Sequence, residues 1–252
     1  MPINEVFPNP TVKKVIFQIR YPNLFFIENK IGDIQLKIMS KFPESALIVR
    51  RQLIVADIGP GMQISNKLDD TEDSISKKIW QFKSSIGMEL NILSDALDIN
   101  SGIHKTYNLE GGEKFRNIIE FVVDNFISIT GIPIINRIGL RYIDECPMPN
   151  KNNESFREFY NTTFPLNRFN IADAKEMKYS TIILKGTNKL RYQEVLIPDG
   201  DNYKLFLDFD GFTENINSAD YLATTDALHA IIREEYENTI KEPVYRIMRA
   251  RG

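Results

Sequence analysis

The sequence predicts an α+β fold, with antiparallel or mixed sheets carrying helices on one face, laid out as two successive α+β halves. Three observations predict it. The periodicities run strand, helix, strands, helix, strand, then strands and a closing helix, an order that puts helices on one face of antiparallel sheet. Three late strand-like runs, 179–185, 190–197 and 203–209, are joined by Gly186-Thr187-Asn188 and by Pro198-Asp199-Gly200-Asp201-Asn202. Connections that short cannot carry a crossover helix, so those runs pair antiparallel. Pro147, Pro149, Asn150, Asn152 and Asn153 read as a linker, which divides the chain into halves 1–147 and 148–252.

Pro8-Asn9-Pro10 is a stiff lead-in. Val15, Phe17, Ile19 and Tyr21 then alternate with Lys14, Gln18 and Arg20, a strand that Pro22 ends. Asn23 can cap the next helix, where Ile27, Ile31, Ile34, Ile38 and Phe42 fall on one face until Pro43 stops it. Residues 46–58 read as a strand closed by Gly59-Pro60-Gly61, and 68–76 as an acidic, polar loop. Residues 77–85 and 88–93 form a hairpin turning near Ile86-Gly87. A second helix is expected from about Leu109, with Phe115, Ile118, Ile119, Val122, Phe126 and Ile129 at helical spacing and Gly131 placed for a left-handed cap. The strand around Arg137–Asp144 follows. Beyond the linker, Phe156–Tyr160 fits a short helix, and Leu228, Ile231, Ile232 and Tyr236 mark a closing one.

The 252 residues are 42% hydrophobic and 26% charged, enough to build a substantial core without staples. A net charge of −3 argues against a surface that grips nucleic acid everywhere, and leaves room for a local basic groove. The single cysteine, Cys146, excludes an internal disulfide and fits a reducing compartment. The opening Met1-Pro2-Ile3-Asn4-Glu5 lacks the basic and apolar regions of a secretory signal. The most apolar run, 121–135, is broken by Asp124, Asn125, Ser128 and Pro133, so no membrane span is expected. The expectation is a cytoplasmic protein, and abundant Ile, Asn and Lys suggest an AT-rich prokaryotic genome.

The stretch Arg137-Ile138-Gly139-Leu140-Arg141-Tyr142-Ile143-Asp144 carries the most chemistry. As a strand it places Arg137, Gly139 and Arg141 on one face and Ile138, Leu140 and Tyr142 on the other. Two guanidiniums beside bare backbone call for carboxylates or phosphates. Both remain open: an anion-binding site, or an ion-pair network with Asp208 and Asp210, which share a face of Leu207-Asp208-Phe209-Asp210. That aspartate pair is also the one candidate for a metal site, though no third acid or positioned lysine accompanies it. His104 and His229 lack zinc spacing, and Glu145 beside Cys146 disfavours a reactive thiolate. Gly59-Pro60-Gly61 and Gly111-Gly112 are turns, not phosphate loops. Lys78, Trp80 and Phe82 share a strand face, either a base-stacking platform or half of a core. Arg246, Arg249 and Arg251 form a basic C-terminal segment that could contact nucleic acid or an acidic partner, or simply complement a helix end. Arg50 and Arg51 lie on opposite strand faces, so one of them meets solvent or a partner. No cofactor motif occurs.

Three segments together resemble a prokaryotic family of about this length, sporadically distributed and without an assigned activity. They are Asn9-Pro10-Thr11-Val12-Lys13-Lys14-Val15-Ile16-Phe17-Gln18-Ile19-Arg20-Tyr21-Pro22, the R-x-GLRY pattern of Arg137–Tyr142, and Leu207-Asp208-Phe209-Asp210 taken with Leu228-His229. Lys14 stands where the family pattern has an acid, and Asp144 where Asn is common. The resemblance implies no catalytic residue. Its patchy distribution implies genes linked to mobility or antiviral defence, and with them an accessory subunit, such as the partner of a short Argonaute or a CRISPR-type effector. The functional expectation is therefore a non-enzymatic binding subunit with a protein partner and a local basic surface for nucleic acid. The alternatives are a metal-dependent hydrolase using Asp208 and Asp210, and a sensor holding a small anion on Arg137 and Arg141.

Overall fold

A computed structural model describes residues 5–52, 75–110, 113–148, 150–200 and 202–250. The turn at Gly59–Gly61, most of the acidic loop, the Gly111-Gly112 turn, the side chains of Arg50 and Arg51, and Arg251 lie outside the described residues.

In chain order the strands and helices are β1 (Val12–Arg20), α1 (Ile27–Ile38), β2 (Glu44–Gln52), β3 (Ile75–Lys83), β4 (Met88–Ile92), β5 (Ala96–Ser101), α2 (Phe115–Thr130) and β6 (Ile134–Cys146). Then come α3 (Asn153–Phe159), β7 (Met177–Lys185), β8 (Asn188–Asp199), β9 (Asn202–Asn217), α4 (Tyr221–Thr239) and α5 (Glu242–Arg249). The strands form one nine-stranded sheet in the order β2-β3-β4-β5-β1-β6-β9-β8-β7, with every pairing antiparallel. The expected α+β class is what the chain adopts.

The topology runs one path twice. A central strand leads to a helix, then to a meander that returns beside the central strand, then to a second helix. This describes β1-α1-β2-β3-β4-β5-α2 and again β6-α3-β7-β8-β9-α4. The two central strands meet at the middle of the sheet, with Phe17 opposite Leu140, Gln18 opposite Gly139 and Arg20 opposite Arg137. The two passes meet between α2 and β6, so residue 147 falls inside the second pass, just after β6, and the ladder between β6 and β9 carries one sheet across it.

Strand alternation decides what lies beneath the helices. Phe17, Ile19, Leu90, Ile92, Leu97, Ile99, Ile138, Leu140, Leu190, Leu196, Leu207 and Phe209 all point to the helix side and are buried. They form one core with Phe115, Ile118, Ile119, Val122 and Phe126 of α2 and with Leu228 and Ile232 of α4. Helix α4 seats directly on Gly211, where a Cβ would stand 3.2 Å from Ile232 Cδ1. Glycine is needed there for the close approach of helix to sheet, not for an unusual backbone angle.

Several boundaries differ from the sequence reading. Helix α2 begins at Phe115 rather than near Leu109, because the N–H groups of Phe115 and Arg116 donate to the carbonyls of Thr106 and Tyr107. The preceding chain folds back to satisfy these otherwise orphaned donors instead of extending the helix. Gly131 does adopt the left-handed cap, at φ 66°. Strand β5 was not anticipated, although Leu97, Asp98, Ile99 and Asn100 alternate apolar with polar. Asp98 and Asn100 face the open side, where Asp98 Oδ2 accepts from Asn91 Nδ2 at 2.9 Å and from Asn100 Nδ2 at 2.6 Å. Strand β9 runs to Asn217, well past the expected end at Phe209, because Gly211 sits within the sheet and makes no turn. The basic C-terminal segment is helix α5.

Gly211→Val should push α4 off the sheet and cost about 1–3 kcal/mol, the usual penalty for overpacking a filled core. Urea denaturation measures it, and Gly211→Ala should fall below Gly211→Val.

Candidate functional site

The face of the sheet opposite the helices holds a shallow trough over its centre. Its cationic side chains are Arg20, Arg137, Arg141, Lys189 and Arg191, and Phe212, Ile182 and Leu184 supply apolar wall. The register brings them together. Arg137 and Arg141 of β6 share a face with Gln18 and Arg20 of β1, while Asp210 lies opposite Arg141 on one side and Arg191 on the other.

The side chains interlock. Arg141 binds Asp208 through two parallel hydrogen bonds, Nε to Oδ1 at 2.8 Å and Nη2 to Oδ2 at 2.5 Å. This fork-to-fork contact holds the guanidinium proton above its ordinary range. Arg137 donates from Nη2 to both oxygens of Asp210, at 3.3 and 3.2 Å, and from Nη1 to Gln18 Oε1 at 3.5 Å. Its guanidinium also lies 4.7 Å from the centre of the Phe212 ring. It can reach both because residue 139 is glycine, where a Cβ would stand 2.7 Å from Arg137 Nη1. Arg191 Nη1 stands 3.8 Å from Asp210, Lys189 donates to Glu214 at 2.8 Å, and Arg20 Nε donates to Gln18 at 3.2 Å. Gln18 thus orients two guanidiniums.

Depth separates the charges. The carboxylate-bearing side chains of Asp208 and Asp210 are 12% and 13% exposed, while that of Arg141 is 42% exposed. Burial pushes the Asp210 carboxyl above its ordinary value, against the pull of Arg137, Arg141 and Arg191. The acids lie low on the sheet, and guanidinium edges face outward.

The other candidates fall elsewhere. Lys78 and Trp80 lie on the helix side of β3. Lys78 pairs with Glu28 of α1 at 2.7 Å, Phe82 is buried, and Trp80 packs against the core. Of the two readings, half of a core describes Phe82 and the buried part of Trp80, while Lys78 stays exposed beside α1. Arg249 Nη2 pairs with Glu5 at 2.7 Å and the guanidinium sits over Phe7 and Tyr245, so it ties the N-terminal segment to α5. Arg246 is exposed, 3.8 Å from Glu242. Asp208 and Asp210 each face a guanidinium, and among the described residues no three His, Cys, Asp or Glu side chains gather to hold a metal. His104 is buried, with Nδ1 2.7 Å from Ser101 Oγ. His229 stacks on Tyr107 at 4.2 Å. Cys146 is buried, and that burial pushes its thiol well above the ordinary value.

Sequence reasoning missed Arg20, Gln18, Lys189 and Arg191 as members of this face. Alternation within β1 and β8 assigns their side, but only the pairing of strands distant in sequence places them beside Arg137. Among the described residues, no helix is long and apolar enough to cross a membrane. Compared with family models, curated proteins and solved structures, this chain matches none.

Arg141→Ala should lower stability by about 1.5–3 kcal/mol, the scale for charge-assisted hydrogen bonds whose loss leaves a sunken carboxylate unpaired. Gly139→Ala should cost less than 1 kcal/mol by urea denaturation yet shift the Arg137 Nε NMR signal, since only a flexible guanidinium must give way.

On the helix side, two buried groups set opposing pH dependences. Burial, aided by Arg233, lowers the His229 ring to about 4, so its contribution is whole above pH 6.5 and is lost as pH falls from there to 4. Burial raises the Asp144 carboxyl to about 7 from 3.8, so its contribution is whole below pH 3.8 and is lost as pH rises toward 7. Relative to the parent chain, His229→Gln should gain stability as pH falls through 6.5 to 4, and Asp144→Asn should gain as pH rises from 4 to 7. Urea midpoints across that range check both.

Proposed function

We propose that this chain is a non-enzymatic binding subunit that holds the phosphate backbone of a nucleic acid on the helix-free face of its sheet, within a prokaryotic defence or nucleic-acid-processing complex. The observation that carries this reading is the charge arrangement of the trough. Arg20, Arg137, Arg141, Lys189 and Arg191 outnumber Asp208, Asp210 and Glu214, on a chain whose net charge is −3. A surplus of one sign at the centre of a broad face is the footprint of an anionic partner. Arg20 pairs with no carboxylate among the described residues, and Arg191 approaches one only to 3.8 Å, so both have donors to spend. Phe212 and the half-exposed Ile182 add apolar surface against which sugars or bases can lie.

The accessory role draws on two further supports. Strand β7 closes one end of the sheet among the described residues, and Leu184 on it is 75% exposed. A free edge with exposed apolar side chains is a template for strand addition by a partner protein. The resemblance drawn from the sequence also implies a subunit of a larger assembly. A hydrolase built on Asp208 and Asp210 is less favoured, since each carboxylate already has a guanidinium counter-ion.

Fluorescence anisotropy with labelled DNA and RNA oligonucleotides tests the reading. The parent chain should bind at low salt and weaken as salt rises. Arg20→Ala with Arg191→Ala should weaken binding and reduce the slope of log K against log salt by about 2, one phosphate contact for each residue removed. Absence of binding at 50 mM salt, or an unaltered slope in the double variant, overturns it. Binding of free nucleotides but not of oligomers would favour the small-anion sensor.

A further inference from the structure

The helix side of the sheet contains a second site, independent of the trough. A cavity of about 120 Å³ opens between α4, the central strands and the N-terminal segment. For scale, a dry engineered cavity of about 150 Å³ holds benzene. Phe7, Leu109, Phe209 and Ile232 give it an apolar lining, Tyr107, Tyr142 and Tyr236 add aromatic faces, and Asp144 supplies one carboxyl. The exposed residues Glu5, Lys105, Asn108 and Arg233 form its rim.

The polar groups inside are incompletely satisfied. Asp144 is 95% buried by its 5% exposure, yet only Oδ1 takes a hydrogen bond, from Thr11 Oγ1 at 2.7 Å. Thr11 is fixed in turn by the Tyr236 hydroxyl at 2.6 Å, and Tyr236 contacts Met248 Sδ at 3.5 Å. The Tyr142 hydroxyl is buried with no partner among the described residues. A structural carboxyl in a core ordinarily has its acceptors filled, and a buried hydroxyl ordinarily has a partner. Here, among the described residues, the second carboxyl oxygen of Asp144 takes no hydrogen bond, and the buried Tyr142 hydroxyl, two residues away on the same strand face, has no partner.

We propose that this cavity binds a small organic cation, an ammonium carried on a ring or short hydrocarbon, with the ammonium on Asp144 and the hydrocarbon among the surrounding aromatic and aliphatic side chains. The chemistry selects for it from three sides. An ammonium offers donors to the free carboxyl oxygen and can share one with the Tyr142 hydroxyl. Its charge compensates a carboxylate that burial otherwise disfavours. Tyr107, Tyr142 and Tyr236 line the cavity, and aromatic rings attract a cation. Competing cations are spent elsewhere, since Lys105 donates to the Pro8 carbonyl at 3.1 Å and Arg233 lies 3.6 Å from Glu237. His229, stacked on Tyr107, stays neutral at pH 7. An anion would meet the Asp144 carboxylate, and a neutral molecule of the same shape would leave it without a counter-charge.

A matched panel decides the matter: benzylammonium, n-butylammonium, benzyl alcohol and benzoate, each added to the full chain at pH 7.5 and followed by thermal shift and calorimetry. At least one ammonium should raise the melting temperature, since a ligand of the native state alone stabilises it. Benzylammonium should bind at least 10-fold tighter than benzyl alcohol, and benzoate should leave the melting temperature unchanged. Asp144→Asn should erase the preference for ammonium over alcohol. Leu109→Trp, which fills the lined space with a larger ring, should abolish binding with Asp144 intact, which keeps the test decisive if Asp144→Asn does not fold. No shift with either ammonium, equal binding of ammonium and alcohol, or undiminished ammonium binding in Asp144→Asn or Leu109→Trp overturns the proposal.

Discussion

The ladder between β1 and β6 is the constraint on which everything else rests. It sets Phe17 beside Leu140 and, one residue on, Gln18 beside Gly139. Because side chains alternate, that single register assigns every neighbouring residue to one of two environments. A slip of one residue would drive Arg137 and Arg141 into the core and expose Ile138 and Leu140. Burial of the apolar face beneath α2 and α4 therefore also fixes the guanidiniums on the open face. Core and trough follow from one pairing, read from opposite sides.

Within the trough, geometry turns a set of surface charges into an organised array. An isolated surface ion pair contributes little, because solvent screens it and long side chains lose freedom. Here Asp208 and Asp210 sit close to the sheet, Arg141 grips one bidentately, and Arg137 lies flat across Gly139 with Phe212 against it. Arg137 and Arg141 are each held by more than one contact, so a phosphate would meet guanidiniums whose ordering has already been offset by folding. The carboxylates position the guanidiniums without cancelling them. On the far side of the sheet, Tyr142 and Asp144 continue β6 into a different chemistry, a small apolar cavity with one incompletely bonded acid.

Much of the fold was legible in the sequence. The alternation of β1, the helical spacing of α1 and α2, the left-handed Gly131 and the short turns between β7, β8 and β9 all carried local signals, and each element formed. What escaped notice was written in long-range contacts. Strand β5 does alternate, with Leu97 and Ile99 inward and Asp98 and Asn100 on the open side, but over only six residues, and its pairing with β1 is what identifies it. Helix α2 starts late because Thr106 and Tyr107 cap it from the chain before. For the site, Arg137, Gly139, Arg141, Asp208 and Asp210 could be singled out from strand periodicity alone. Arg20 and Arg191 could not, since they join that group through pairings spanning more than a hundred residues for β1 and through the β8–β9 ladder. Trp80 and Phe82 share a face by the same alternation, and only the packing shows that both join the core there.

The proposed role puts the bound anion on the helix-free face, against the outward guanidinium edges. The most direct measurement is an NMR titration of the arginine Nε–H signals and backbone amides with a short oligonucleotide. Binding as described moves the Nε–H signals of Arg20, Arg141 and Arg191 and the amides of β1, β6, β8 and β9, while those of α1, α2 and α4 stay in place. Shifts confined to the helix side, or to Lys78, Trp80 and α5 with the trough arginines unmoved, would contradict it.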